Sequence, residues 1–289
     1  MANAKDIQKR IKSVTSTHKI TRTMEMVATS KFKRAVDRLV AARPFAETLP
    51  GMLALLAAGG GEENPLLATR PVVKRVALLV LTTNRGLCGA INTNILRLAL
   101  RFTREQEAEG RAVDIYVVGR KGAGYLRFVG RPVKFQTTEL GDRPQPEDGE
   151  RFATLLGEAF LSGEVDEVHV AYPRFKNAAE QPASLERVLP LVLPAADAGR
   201  GKARPQFILE PDAARLLGEL LPLYLRNSFF RTLLEAAASE QGARRTAMKA
   251  ASDSAKEMID NLKLSYNKAR QAQITKELLE IVGGAEALK

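Results

Sequence analysis

Two long stretches of helical patterning frame the chain, one at each end. Residues 4–43 contain neither proline nor glycine, and the pattern resumes after two prolines until the glycine run that begins at Gly59. Proline and glycine most often end helices, so this stretch predicts one long helix. Residues 212–282 show helical patterning again, interrupted only at Gly218, Pro222 and Gly242, and either Pro211 or Asp212 suits its start. At 1.5 Å per residue the two stretches span roughly 60 Å and 105 Å, which is too long for one compact domain.

Both stretches carry a repeat with alternating spacings of four and three residues. In the first stretch the repeat falls on Ile7, Ile11, Val14, His18, Thr21, Glu25, Ala28, Phe32, Ala35 and Leu39. In the last stretch it falls on Met248, Ala251, Ala255, Met258, Leu262, Ser265, Ala269, Ala272, Lys276 and Leu279. This spacing predicts that the two helices pair as an antiparallel, left-handed coiled coil. Because many seam residues are small or polar, we expect the isolated chain to be fragile.

Between the helices, the pattern changes to short alternating strand-like and helix-like segments. The strand-like segments are 75–83, 113–119 and 164–173, and the helix-like segments are 91–110 and 149–163. This βαβ rhythm predicts a Rossmann-like α/β domain with a mainly parallel sheet. We therefore predict three parts: an N-terminal coiled-coil helix at 1–58, a central α/β domain with linkers at 59–210, and a C-terminal coiled-coil helix at 211–289.

Positive charge is concentrated in the first helix. The chain has 289 residues and a net charge of +11, and residues 1–43 hold eleven Lys or Arg against three Asp or Glu, a net charge of +8. Such a helix suits an acidic partner, which could be nucleic acid, an anionic membrane surface or a protein. A solvated face beside a partner helix explains the charge equally well.

No motif of the central domain matches a nucleotide-binding loop. Gly119, Gly122 and Gly124 have the spacing G-x-x-G-x-G rather than G-x-G-x-x-G, and no P-loop motif is present. The segment NRGLCGA, residues 84–90, could hold an anion at a helix start, although a tight connection is the simpler interpretation. The sequence therefore predicts no cofactor site.

Catalytic and metal-binding groupings are absent from the sequence pattern too. The chain has one cysteine, Cys88, and two histidines, His18 and His169. No motif joins them to each other or to a carboxylate pair, so packing roles are the simplest interpretation. We predict no catalytic residue and no metal site.

Two methionines of the first helix point to different sides. With Ile20 at zero on a helical wheel, Val27, Met24, Ala28 and Phe32 form an apolar arc. Met26 falls on the opposite side, among lysine and arginine, and is predicted to face outward. A flexible methionine on a charged face suits a surface that adapts to several neighbours, and a lone exposed methionine is also ordinary.

Both ends of the chain carry a family resemblance. Residues 4–35 and 42–49, together with 238–288, resemble the γ subunits of bacterial F-type ATP synthases. The segments NRGLCGAINTNI and YPRFKNAAEQP in the middle are similar to that family as well. The resemblance implies a terminal coiled coil and a central α/β domain that binds no nucleotide, which agrees with the pattern analysis.

The resemblance also implies a function, that of a non-catalytic central rotor shaft. It would couple rotation of a membrane ring of c subunits to the catalytic sites of β. The implied partners are the α and β subunits, the ε subunit and the c ring, with one copy of the chain per complex. The implied location is the cytoplasmic face of the bacterial inner membrane, as a peripheral protein.

Carried over by motif, the rotor–stator contacts fall on five residues, and two further residues fall at the foot. The rotor–stator residues are Met24, Arg244, Gln271, Thr275 and Glu277. The foot residues are Phe207 and Glu210, in a segment that matches the family only partly. The polar rotor–stator residues would bond to a loop of β.

Two other classes of protein stay open on the residues alone. A basic coiled coil could bind nucleic acid, but aromatic residues are not interleaved with the basic run and no reading motif is present. A nucleotide-dependent enzyme would need a phosphate site that the sequence lacks. No apolar run resembles a signal peptide or spans a bilayer, so we expect the chain to stay in the compartment where it is made.

Overall fold

The computed structural model describes residues 4–58, 64–193 and 212–287. Its elements in chain order are α1 (Ala4–Ala58), β1 (Arg75–Leu81), α2 (Ile91–Ala108), β2 (Ala112–Val118), α3 (Arg120–Phe128), β3 (Phe135–Thr137), α4 (Pro146–Leu161), β4 (Glu167–Pro173), β5 (Ala183–Leu189) and α5 (Ala213–Ala287). Two compact units divide the chain: a terminal unit, Met1–Thr29 with Arg244–Lys289, and a central unit, Ser30–Ala243. The three-part division at 58/59 and 210/211 stays a prediction, since it falls next to residues outside the described ranges.

The two predicted long helices are present. α1 ends directly before the glycine run, and it continues through Pro44 and Pro50. α5 starts after Asp212, whose Oδ1 accepts a hydrogen bond of 2.8 Å from the amide of Arg215. This is the contact of an N-cap residue, so Asp212 rather than Pro211 starts the helix.

The central unit contains a five-stranded sheet with strand order β3-β2-β1-β4-β5. β1 pairs in parallel with β2 and β4, and β2 pairs in parallel with β3. β5 runs antiparallel to β4 at one edge. The prediction of a mainly parallel, Rossmann-like sheet is confirmed. The sequence pattern did not predict α3, β3 and β5.

Both faces of the sheet are covered, because alternate residues of β1 enter different cores. Val76, Leu78 and Val80 pack against α2 and α3. Ala77, Leu79 and Leu81 pack in a larger core together with α4 and parts of α1 and α5. A strand buried on both faces needs a continuous apolar run, which is what residues 75–81 provide.

Within the central unit, α1 and α5 run antiparallel. Leu39 clusters with Leu234 and Ala238. Further along α1 in the opposite direction, the ring of Phe32 lies against Gly242, where an added Cβ would come within 3.1 Å of Phe32 Cε2. Residue numbers fall along α1 as they rise along α5, which is the antiparallel arrangement that the repeat predicts.

One helix of the described residues, α1, is long and apolar enough to cross a membrane by length and composition alone. The apolar residues of its carboxyl-terminal part have another explanation. Leu49, Leu53 and Leu56 are at most 6% exposed and belong to the larger core. Core packing therefore accounts for these three residues, whereas Phe45 and Met52 in the same part of α1 are exposed.

Candidate functional site

The place where an open α/β sheet usually binds a ligand is filled by helix α5. Ligands bind beyond the carboxyl ends of the strands, where the chain connections leave in opposite directions, here between β1 and β4. Leu233, Ala236 and Ala237 of α5 line this crevice together with Thr82 and Pro173. The remaining cavity is about 60 Å³, far below the several hundred Å³ of a cofactor pocket.

The glycine-rich segment after β2 has a packing role. Gly119 has a positive φ of 97°, and a Cβ at Gly122 would lie 2.5 Å from the Thr82 hydroxyl. These glycines allow α3 to approach β1 closely.

The amides at the start of α3 already have acceptors from the protein. The amide of Arg120 donates to Asn84 Oδ1 at 3.0 Å, and the amide of Gly122 donates to Thr82 Oγ1 at 2.9 Å. The amide of Lys121 donates to the Thr83 carbonyl at 3.1 Å. A phosphate at this helix start would have to displace all three.

Cys88 lies in a tight connection before α2. It is 2% exposed, and Asn92 Nδ2 lies 3.4 Å from its sulfur. The neighbouring Leu87 and Gly89 both have a φ of 61°, which marks a sharp turn. Among the described residues, no group of His, Cys, Asp and Glu has the arrangement of a metal site.

His169 is a half-buried histidine of β4. Its Nε2 lies 2.8 Å from Glu167 Oε2, and its ring lies 4.8 Å from the ring of Phe102 on α2. Burial lowers the pKa of His169, and Glu167 opposes this only in part. The neutral form is therefore favoured in the folded chain.

In the terminal unit, the predicted seam of α1 is correct. Ile7, Thr21 and Ala28 are buried, and the seam residues between them are half-buried. Met24 is half-buried and Met26 is 67% exposed, so the predicted orientation of Met26 is confirmed. The predicted apolar arc was too wide, because Ile20 is 58% and Val27 is 51% exposed. Both lie at the border of the stripe that α1 buries.

The predicted seam of α5 was correct from Met248 through the half-buried Ala251 to Ala255, and only in part after that. Met248 and Ala255 are buried, and Leu262 and Ala269 are half-buried. Met258 is 53% exposed, whereas the next residue, Ile259, is 9% exposed. Adjacent residues of a helix point 100° apart, so Met258 and Ile259 lie on either side of one edge of the buried stripe of α5. Tyr266 likewise takes the place predicted for Ser265.

The pairing within the terminal unit ends before the end of α5. Residues 4–29 of α1 are as long as residues 244–269 of α5, and buried or half-buried positions occur throughout both. Every residue whose side chain is described from 270 to 284 is exposed. The predicted seam positions Ala272, Lys276 and Leu279 are therefore wrong, because they extend beyond the length of the partner helix.

The predicted rotor–stator residues all lie in the terminal unit, in different surroundings. Arg244 is 8% exposed, whereas Gln271, Thr275 and Glu277 are fully in the exposed part of α5. Thr275 Oγ1 donates to the Gln271 carbonyl at 3.0 Å, and Glu277 Oε1 accepts from Gln273 at 3.0 Å.

The three polar residues of this exposed end do not share one face. By helix geometry, Thr275 lies about 40° around the axis from Gln271, and Glu277 lies about 120° away on the other side. Gln271 and Thr275 can therefore contact one neighbouring surface, and Glu277 another. Phe207 and Glu210 lie outside the described residues.

A polar cluster that the sequence analysis missed joins α5 to the sheet. Arg231 pairs with Glu186 of β5 and, at 3.1 Å, with Glu235 one turn along α5. The Tyr172 hydroxyl of β4 donates to Glu186 at 2.7 Å. One feature of the sequence could have predicted part of this cluster: Arg231 and Glu235 are four residues apart in an otherwise apolar stretch of helix.

Comparison with known proteins gives one consistent result. The family model described as ATP synthase matches residues 3–288. An ATP synthase gamma chain of Gemmatimonas aurantiaca is 46% identical over 290 residues and covers 100% of both chains. One of Methylobacillus flagellatus is 43% identical, again covering 100% of both chains. The family resemblance of the terminal and central motifs is thus confirmed over the full length.

Solved structures share the fold. A chain of the Euglena gracilis mitochondrial ATP synthase has a TM-score of 0.65 at 20% identity, covering 99% of this chain and 94% of the other. A chain of the Tetrahymena thermophila mitochondrial ATP synthase, from a structure of the central stalk and c-ring, has a TM-score of 0.60 at 24% identity. It covers 81% of this chain and 99% of the other.

Proposed function

This chain belongs to the family of ATP synthase gamma chains, and on that premise we propose that it is the central rotor shaft of a membrane-associated F-type ATP synthase. In this function it couples rotation of the c ring to the conformational cycle of the catalytic β subunits. Its partners are the α and β subunits, the ε subunit and the c ring, with one copy of the chain per complex. We place the complex on the cytoplasmic face of the bacterial inner membrane.

The observation that carries the proposal is the exposed end of α5. Residues 270–284 include Ile274, Leu278, Leu279, Ile281 and Val282, each at least 48% exposed. A helix with so much apolar surface is marginal in water by itself. A surrounding ring of other subunits would cover this surface, and its contacts to the helix would change as the helix rotates.

A shaft changes the affinity of a catalytic site only through contacts that differ between conformations of that site. Shifting one site from 1:99 to 99:1 requires about 5.5 kcal/mol of differential contact. Gln271 and Thr275 on one face and Glu277 on another give the shaft a surface that differs with angle. Several such contacts to β would together supply the energy.

We propose direct contacts to β for Met24, Gln271, Thr275 and Glu277. Arg244 is buried in the terminal unit, so we expect a smaller direct contribution from it. Phe207 and Glu210 remain proposed foot contacts on the strength of the motif alone. We propose that the chain itself is non-catalytic, which is supported by the filled crevice between β1 and β4. The alternative of a nucleic-acid-binding coiled coil has no support in the comparisons.

The first test is reconstitution. The purified chain should hydrolyse no ATP, and mixing it with α and β subunits should give an active complex. Addition of ε and membranes that contain the c ring should make hydrolysis pump protons. ATPase activity of the chain alone would contradict the proposal. So would an α–β complex whose ATPase activity does not change when the chain is added.

The contact residues are tested with a matched pair of variants. Thr275→Val removes the hydroxyl and keeps the shape, and we expect ATP synthesis to fall by about fivefold, the lower end of typical coupling energies. Ser265→Ala is the control, because Ser265 is also exposed and bonds the carbonyl of Asn261 at 3.0 Å, as Thr275 bonds that of Gln271. Equal effects of the two variants would argue against a specific contact at Thr275.

A further inference from the structure

Three polar residues of α5 recur at four-residue spacing on the side that faces the carboxyl end of β4. They are Arg231, Glu235 and Ser239, and they follow an apolar stripe of the same helix. That stripe consists of Leu217, Leu221, Leu225, Phe229 and Leu233, each at most 4% exposed. The helix is thus attached to the central unit by apolar packing along its first part, and by apolar and polar contacts together from Arg231 onward.

Each polar residue bonds to a different part of the sheet end. Arg231 pairs with Glu186, which is oriented by the hydroxyl of Tyr172 at 2.7 Å. Glu235 Oε2 accepts from the Phe175 amide at 3.2 Å. Ser239 donates to the carbonyl of Pro173 at 2.9 Å. Arg231, Glu235, Glu186 and Tyr172 are called the Arg231 cluster below.

The Arg231 cluster is only partly removed from water, since the side chain of Glu186 is 36% exposed. Tyr172 is 1% and Glu235 is 8% exposed, and the side chain of Arg231 is 27% exposed. Burial by itself lowers the pKa of Arg231, but attraction by Glu186, Tyr172 and Glu235 raises it overall. Salt therefore screens this half-buried pair less than a fully exposed pair.

Apolar and polar contacts resist different motions. Apolar packing is non-directional, so it opposes separation of a helix from a sheet more than small turns or slides. A guanidinium has a fixed planar geometry, so Arg231 loses its bond to Glu186 when the helix turns relative to the sheet, whereas its bond to Glu235 turns with the helix. Because Glu186 belongs to the sheet and Glu235 to the helix, Arg231 links the two across the interface.

We propose that Arg231, acting through Glu186, is a positioning residue that holds α5 against turning and sliding on the α/β domain when the rotor works under load. The proposal rests on the proposed rotor function. In that function the α/β domain and α5 must turn together. If α5 slips on the α/β domain, rotation of the c ring is not transmitted to the β subunits. The Arg231 cluster is the polar joint that prevents this slip.

The test is Arg231→Met in the full complex in membranes, with ATP hydrolysis and proton pumping measured together. We expect the rate of ATP hydrolysis to stay within about twofold of wild type, because a twofold change corresponds to only a small change in binding free energy. The ratio of protons pumped to ATP hydrolysed should match wild type at low proton-motive force and fall as an opposing force is raised. A loss of stability alone would reduce the amount of complex without changing this load dependence.

Two further variants make the result specific. Arg226→Met is the matched control, because Arg226 of α5 also pairs with the α/β domain, through Glu150 at 3.0 Å, but both side chains are about half exposed, at 49% and 48%. It should leave the load dependence unchanged. The double variant Arg231→Glu with Glu186→Arg should restore part of the coupling that Arg231→Met loses.

The outcomes separate the two proposals. If the wild-type chain supports coupled pumping and Arg231→Met pumps protons as wild type does under full load, the proposed role of Arg231 is overturned and the rotor function stands. Equal losses from Arg231→Met and Arg226→Met also overturn the role of Arg231.

If Arg231→Met does not assemble, Tyr172→Phe is the deciding variant, because it removes only the bond that orients Glu186. A lowered ratio of protons pumped to ATP hydrolysed under load supports the role of Arg231, and an unchanged ratio overturns it. If the wild-type chain supports no coupling at all, the rotor function itself fails.

Discussion

Gly149 of α4 lies directly against Phe230 of α5. A Cβ added at Gly149 would come within 2.7 Å of Phe230 Cβ, 3.0 Å of its Cα and 2.9 Å of the carbonyl oxygen of Arg226. These are atoms at or next to the backbone of α5, which cannot move aside as the end of a flexible side chain can. The two helices therefore touch nearly backbone to backbone at this point.

Gly149→Ala should consequently destabilise the protein. We expect a loss of about 1–3 kcal/mol in the free energy of unfolding, because the new methyl group forces α4 away from α5. The control is Gly157→Ala on the same helix, where the nearest atom is the flexible Leu225 Cδ2 at 3.3 Å. That change should be close to neutral, since alanine favours the helix by up to about 1 kcal/mol. Urea unfolding of both variants measures the difference, and similar midpoints would contradict the close contact.

The seam of the terminal unit is tested by two adjacent residues. Ile259→Ala should lower the opening free energy of residues 244–269 by about 2 kcal/mol, because Ile259 is 9% exposed. Met258→Ala should cost less than about 0.5 kcal/mol, because Met258 is 53% exposed. Native-state hydrogen exchange reports this opening for each segment. The opposite ranking would restore the register predicted from the repeat.

Stability should depend on pH through His169. Burial lowers its folded-state pKa below the ordinary value of 6.5, so below that pH the unfolded chain binds more protons than the folded chain. The stability that neutral His169 contributes is therefore present above pH 6.5 and is lost as the pH falls below it. Urea midpoints at pH 7.5 and pH 5.5 should differ less for His169→Gln than for wild type.

The groups around His169 provide a control for this pH dependence. Glu167 raises the pKa of His169, whereas Arg187 and Arg111 lower it, and the ring of Phe102 packs against it. Glu167→Gln removes the group that favours the charged form. It should therefore make the loss of stability below pH 6.5 larger, and a smaller loss would contradict the assigned balance.

The exposed end of α5 should behave differently in the free chain and in the complex. Residues 270–284 bury no described side chain, so their amides should exchange within seconds in the isolated chain. Residues 217–233 carry the buried apolar stripe and should stay protected in both states. Hydrogen exchange followed by mass spectrometry measures both segments. Slow exchange of 270–284 in the free chain, or a cooperative melt at high temperature, would contradict the expected fragility.

Much of the architecture is determined by the sequence. The absence of glycine and proline between residues 4 and 43 predicts α1, and the apolar run at 75–81 predicts a strand covered on both faces. The strands and helices with clear periodicity, β1, β2, β4, α2 and α4, all form where the pattern predicts them. Local preferences decide these elements because each needs only its own residues to favour it.

Three elements of the central unit have no clear pattern in the sequence. α3 contains two glycines within nine residues, and β3 has only three residues. β5 alternates weakly and runs antiparallel at the edge of the sheet. Their stability comes from neighbours that are distant in the chain, such as Thr82 beneath the glycines of α3, so local preference does not identify them.

The candidate site divides in the same way. The sequence by itself determined the repeat and the outward orientation of Met26, and the polar contact residues at the end of α5 stay a prediction from motif resemblance. Only the tertiary structure decided that Ile259 rather than Met258 is buried, that the pairing ends near residue 269, and that Arg231 meets Glu186. The physical reason is that a repeat defines a stripe to within about 100° on a helix. Which residue of that stripe is buried, and which charges meet, depends on partners dozens to hundreds of residues away in the chain.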